Sequence, residues 1–161
     1  MTQPRDGEVI TVERRAFAGP QATGPQALVA RWNFAVHGGT FGMHEAEVFE
    51  QACAEAADTA TPLVTVLRSG GTRLQEGMRA LVGVARATIA LEDLARAHVP
   101  HICVVDHPTT GGIWVAIGAA ADVRAAVAGA TVGFSGPRVI EAMTGERLPR
   151  GAHTAESAAA A

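Results

Sequence analysis

Gly70-Gly71 and Gly111-Gly112 each follow a short apolar run that reads as a strand and precede a segment that reads as a helix. The carboxyl ends of strands are where α/β folds bind ligands. A backbone N–H ahead of a helix N-terminus is a ready donor for developing negative charge. Glycine lets that N–H approach a substrate without a Cβ in the way. Two such donors converging on one oxygen would form an oxyanion hole, and losing one typically costs about 3 to 4 kcal/mol of transition-state stabilisation. The plainer alternative is a pair of tight turns, and spacing alone leaves both open.

Other side chains offer less. His98, His101, Cys103 and His107 sit close in sequence, but His101 and Cys103 share one face of a strand while His98 precedes Pro100. No zinc-type spacing results. Ser69 and Ser135 each precede a glycine without the Gly-x-Ser-x-Gly pattern of a nucleophile elbow. Arg73 and Glu76 open the helix after the first glycine pair; Arg73 could meet a phosphate or a partner, or simply pair with a nearby acid. Arg138 and Glu141 lie three apart and could pair on one helix face.

The elements that must carry these residues are legible from periodicity. Residues 1–26 read as a lead-in, with some strand character in Glu8–Phe17 but only loose attachment expected. Residues 27–161 read as one domain. Leu28–Phe34 alternates as a half-buried strand, Gly42–Ala57 reads as a helix, and Leu63–Leu67 as a buried strand. Leu74–Ala97 is the clearest helix, with Leu74, Met78, Leu81, Val82, Ala85, Ile89 and Ala90 recurring at helical spacing as its expected core face. Ile102–Val105 is another buried strand, followed by a short helix near Ile113–Ala120. Brief strands at Asp122–Val127 and Thr131–Phe134 flank a turn at Gly129. Pro137 starts a helix through Met143, and Glu156–Ala161 begins another. The alternation implies an α/β fold with strands covered by helices.

The chain has 161 residues, 48% hydrophobic and 18% charged, enough for a globular core. A net charge of −3 without a basic block argues against nucleic-acid binding. No apolar run approaches the roughly 20 residues of a membrane span. Cys53 and Cys103 read as reduced core residues, which with the polar N-terminus gives a cytoplasmic expectation.

Four blocks then carry a family resemblance. Ser69 to Gly77, Ser-Gly-Gly-Thr-Arg-Leu-Gln-Glu-Gly, closely resembles the Ser-Gly-Gly-Ala-Arg-Met-Gln-Glu-Gly signature of acetyl-CoA carboxylase carboxyltransferase β subunits. Asp106 to Gly112 resembles that family's Asp-Pro-Thr-x-Gly-Gly segment with His107 as an extra residue. Gly133 to Glu141 resembles its Gly-Phe-Ala-Gly-Pro-Arg-Val-Ile-Glu block, and His37 to Gly42 its Met-Gly-Gly-Ser-Met-Gly segment.

The resemblance implies a crotonase-like spiral of ββα units. It implies that Gly70, Gly71, Gly111 and Gly112 give N–H groups to a thioester carbonyl as it becomes an enolate, and it raises Arg73 and Arg138 as candidate cofactor-binding residues. The implied substrates are acetyl-CoA or another short acyl-CoA and carboxybiotin on a biotin carboxyl carrier protein, with an α-type subunit as partner, an oligomeric assembly and no metal. A malonyl-thioester decarboxylase subunit, or an assembly paralogue without turnover, are the rival implications. The pattern departs from the family in having no cysteine before Cys53, hence no four-cysteine zinc ribbon. It also departs in stopping soon after Thr154-Ala155-Glu156-Ser157, so a shortened domain is expected.

Overall fold

The computed structural model describes residues 7–17, 24–149 and 151–160. Strands β1 (Ile10–Ala16), β2 (Gln26–Trp32), β3 (Leu63–Ser69), β4 (His101–Thr110), β5 (Val123–Ala126) and β6 (Val132–Gly133) form one sheet in the order β1-β2-β3-β4-β5, with β6 also pairing with β4. All pairings are parallel except β1 with β2. Helices α1 (Met43–Asp58) and α2 (Met78–Arg96) connect the parallel strands, and α3 (Pro137–Thr144) and α4 (Ala155–Ala159) follow the sheet.

β1 is a correction to the loose lead-in expected before residue 27. Every residue from Ile10 to Ala16 pairs with β2, from Ile10 opposite Trp32 to Ala16 opposite Gln26, and Val9 and Ile10 are buried. The glycines and prolines around the strand obscured it, because they mark turns without saying whether the run between them finds a partner.

One face of the sheet is dry. Leu28, Ala30 and Trp32 of β2, Leu63, Thr65 and Leu67 of β3, and His101, Cys103 and Val105 of β4 all point into it. α1 adds Phe49, which meets Trp32 edge-on at 5.9 Å, while Phe41 stacks on Trp32 at 6.5 Å. These aromatic pairs add directional contact to area burial.

α2 differs from its expected orientation. Its buried residues are Ala80, Gly83, Ala87, Leu91 and Leu94, whereas Leu81, Val82 and Ile89 are exposed, Leu74 is 85% exposed and Met78 74%. The helix is apolar on two opposite sides, and periodicity cannot choose between stripes of equal period. Close approach decides it: a Cβ on Gly83 would lie 3.2 Å from Ala46 Cβ and 3.3 Å from Gly42 O, so the small-residue side seats on α1. The helix also begins four residues later than expected. Gly77, at φ 55° and ψ −133°, separates it from a single turn at Leu74–Glu76.

His101 is the one buried imidazole among the described residues. Its Nε2 lies 3.0 Å from Thr65 Oγ1, and burial pulls its pKa down to about 4 against a weaker upward pull from Asp122. Its ordinary value is about 6.5, so between about pH 6.5 and 4 the unfolded chain binds a proton that the folded chain refuses. Stability is therefore full above that window and falls by up to about 3 kcal/mol on acidification through it. Urea denaturation at a series of pH values should show this slope, and His101→Gln should flatten it.

Candidate active site

The first glycine turn is held by its own chain. Gly70 N–H donates to Gly38 O (2.9 Å), and Gly71 N–H to Ser69 Oγ (3.1 Å), whose hydroxyl donates to Gly39 O at 2.7 Å. Phe41 N–H donates to Gly71 O (2.9 Å) and Arg73 N–H to Phe41 O (2.8 Å), so the His37–Phe41 loop runs beside the turn like a short extra strand. The fit is close: a Cβ on Gly39, itself at φ 61°, would meet Arg68 O at 2.2 Å.

The second turn is set by β4. Between Leu67, opposite Val105, and Ser69, opposite Thr109, β3 advances two residues while β4 advances four. The surplus, including His107 and the cis His107–Pro108 peptide, is absorbed as a bulge. Thr109 Oγ1 closes it by donating towards Leu67 O (2.9 Å) and Asp106 O (2.8 Å). Thr109 and Thr110 then regain register with β6, so the inserted His107 does not displace the glycines behind it.

The two turns press on each other. Gly71 has φ 111° and Gly111 φ 83°, and a Cβ on Gly111 would lie 2.9 Å from Gly71 Cα. Across the same seam, a Cβ on Gly112 would lie 3.4 Å from Thr72 Oγ1. Gly111 N–H donates to Gly133 O (3.0 Å). Three of the four glycine N–H groups, those of Gly70, Gly71 and Gly111, are thus committed to acceptors in the chain. Among the described residues, the N–H groups of Thr72 and Gly112 have no acceptor. They belong to adjoining residues, and the chain is helical from Gly112 onward. The sequence points to Gly70, Gly71, Gly111 and Gly112 as donors; of these Gly112 keeps an N–H without an acceptor among the described residues, and Thr72, which carries no signal in the sequence, has another.

The remaining candidates are placed as follows. Arg73, 16% exposed, donates to Glu45 Oε1 (2.8 Å), Glu76 Oε1 (3.0 Å) and Thr40 O (2.8 Å). Its guanidinium, for which the sequence leaves open a phosphate, a partner or a nearby acid, is engaged by these partners. Glu76 in turn accepts Met43 N–H (2.8 Å), at the start of α1. That N–H first, and the Arg73 charge with it, hold the Glu76 carboxyl below the ordinary carboxylate range. Arg138 is exposed on the first turn of α3 and is not paired with Glu141, which binds Arg147 at 3.0 Å. Burial pushes the thiols of Cys53 and Cys103 up to about 12 and about 11, so neither is a nucleophile at neutral pH.

The α/β fold, with close-packed glycine turns beyond the ends of two adjacent parallel strands, is that of the carboxyltransferases it superposes on. The chain belongs to the carboxyl transferase domain family, whose model matches residues 21–156. It is 43% identical over 132 residues to the acetyl-coenzyme A carboxylase carboxyl transferase subunit beta of Methylobacterium sp. (strain 4-46), covering 82% of this chain and 43% of that protein. The same-named subunit of Maricaulis maris (strain MCS10) is 41% identical over 141 residues, covering 88% and 45%. The chain therefore spans less than half the length of these relatives. Among solved structures, a Pseudomonas malonate decarboxylase hetero-dimer superposes with a TM-score of 0.80 at 26% identity, over 98% of this chain and 68% of that one. Transcarboxylase 12S with methylmalonyl-coenzyme A bound gives 0.75 at 29% identity, over 83% and 26%. No helix among the described residues is long and apolar enough to cross a membrane.

Proposed function

We propose that this chain is the thioester-holding part of a biotin-dependent acyl-CoA carboxyltransferase β-type subunit, acting on acetyl-CoA or another short acyl-CoA. The observation that carries the proposal is the pair of uncommitted N–H groups at Thr72 and Gly112, beside Gly70, Gly71 and Gly111, whose N–H groups are spent. Fixed dipoles of this kind stabilise a thioester oxygen more as it gains charge than in the ground state, which is what accelerates loss of the α-proton. Gly70, Gly71 and Gly111 shape the turns, and Gly112 both shapes and donates. Carboxybiotin, brought on a carrier protein and seated with an α-type subunit, would supply the carboxyl group to the α-carbon. Arg138, exposed beside this region, is available for the CoA phosphates or for a partner.

The chemistry of an enolate hole runs in either direction. The near-complete superposition on the malonate decarboxylase hetero-dimer favours keeping a malonyl-thioester decarboxylase subunit as the second reading. Dependence of turnover on biotin separates the two.

The direct test is calorimetry with acetyl-CoA and with its thioether analogue, which lacks the carbonyl oxygen. Acetyl-CoA should bind about three- to tenfold more tightly, roughly the 0.5 to 1.5 kcal/mol that one hydrogen bond to a neutral carbonyl contributes. Equal affinities would remove the oxyanion reading and leave the non-catalytic assembly role.

A further inference from the structure

The Thr72 donor is followed directly by the most heavily bonded side chain near the site. Arg73 takes Thr40 O at 2.8 Å and Thr40 Oγ1 at 3.3 Å with one edge, and Glu45 and Glu76 at 2.8 and 3.0 Å with the rest. Glu45 also accepts Gly42 N–H at 2.9 Å, and Glu76 accepts Met43 N–H at 2.8 Å. One guanidinium thus joins three pieces of chain: the donor turn, the His37–Phe41 loop beneath it, and the first turn of α1. A Cβ on Gly42 would fall 2.2 Å from Glu76 Oε1, so the carboxylate fills the space that the missing side chain leaves.

We propose that Arg73, with Glu76, is a positioning residue for the Thr72 N–H: it fixes the donor turn against the His37–Phe41 loop and does not itself touch substrate. This rests on the reading of Thr72 and Gly112 as thioester donors. The physical reason is rigidity. Gly70 is tied to Gly38, Phe41 bonds on either side of Thr72, and Gly111 presses on Gly71, but all of these ties are made by backbone or small groups on one side of the turn. Arg73 adds the side-chain tie that reaches to α1. A planar fork satisfied at several acceptors holds direction as well as distance, which a lysine ammonium would not.

Amide hydrogen exchange read by NMR tests the placement without any ligand. In Arg73→Gln, and in the milder Glu76→Gln, exchange at Gly70 and Gly71 should rise by about tenfold or more while Leu91 and Leu94, deep on α2, keep their protection. Unchanged exchange at Gly70 and Gly71 would overturn the proposal. Calorimetry then separates positioning from direct contact. Both variants should lose the preference for acetyl-CoA over its thioether analogue while binding the thioether as the wild type does. Equal weakening of both ligands by Arg73→Gln alone would instead make Arg73 a CoA ligand and overturn the inference. A wild type that shows no preference would sink the donor reading, while the exchange data would still decide whether Arg73 holds the turn.

Discussion

Replacing Gly112 with proline should lower the turnover of a carboxyltransferase assembly reconstituted around this chain by about 10²- to 10³-fold while leaving the chain folded. Proline replaces one backbone N–H by a ring carbon, so it removes the donor and fills the direction in which it points. Gly112 is the first residue of the helical segment after β4, where the N–H lacks an intrahelical partner and the ring's fixed φ suits helix entry. The Cβ position is 3.4 Å from Thr72 Oγ1, a tight but side-chain contact, and Gly111 before it already sits outside the right-handed helical region at φ 83°. A loss in kcat with unchanged circular dichroism and melting temperature would identify Gly112 as a donor. Full turnover in a folded variant would show that the oxygen is held elsewhere.

Gly111→Val should act on the fold instead, destabilising the chain by about 2 to 6 kcal/mol. Two costs add. A β-branched residue at φ 83° is a backbone outlier, worth about 1 to 3 kcal/mol. Its Cβ would also stand 2.9 Å from Gly71 Cα, a backbone atom that cannot rotate away, and overpacking of this kind costs about 1 to 3 kcal/mol more. Urea denaturation should show a lower midpoint with little change in slope. A variant as stable as the parent would mean that the two turns can separate, and that their contact is incidental to the site.

These contrasting outcomes turn on features of the site that the sequence displays unequally. The glycine pairs, the strands that carry them and the α/β class followed from pattern and motif, because tight backbone approach leaves glycine as its mark. Which N–H groups remain free did not, since that depends on Gly38, Gly133 and Phe41 arriving from other parts of the chain. Arg73 was equally opaque: a basic residue after a glycine turn suits a phosphate or an acid, and only Glu45, twenty-eight positions earlier, decides between them. On α2 the period was right and the side was wrong, because Ala80, Gly83 and Ala87 are quieter in a hydrophobicity pattern than Leu81 and Ile89 yet allow closer packing on α1. The strand character of β1 is visible in the sequence, but its attachment to the sheet depends on its partner β2.

The carboxylate of Glu76 at the start of α1 has a consequence for the order in which the chain is made. Met43 N–H waits for an acceptor thirty-three residues downstream. As the polypeptide leaves the ribosome, α1 can coil and β3 can form, but the opening turn of α1 stays incompletely bonded until the segment beyond the first glycine pair has emerged. Synthesis is slow compared with helix formation. A nascent chain stalled before Glu76 therefore lacks both the acceptor for Met43 N–H and the Glu76 tie to Arg73.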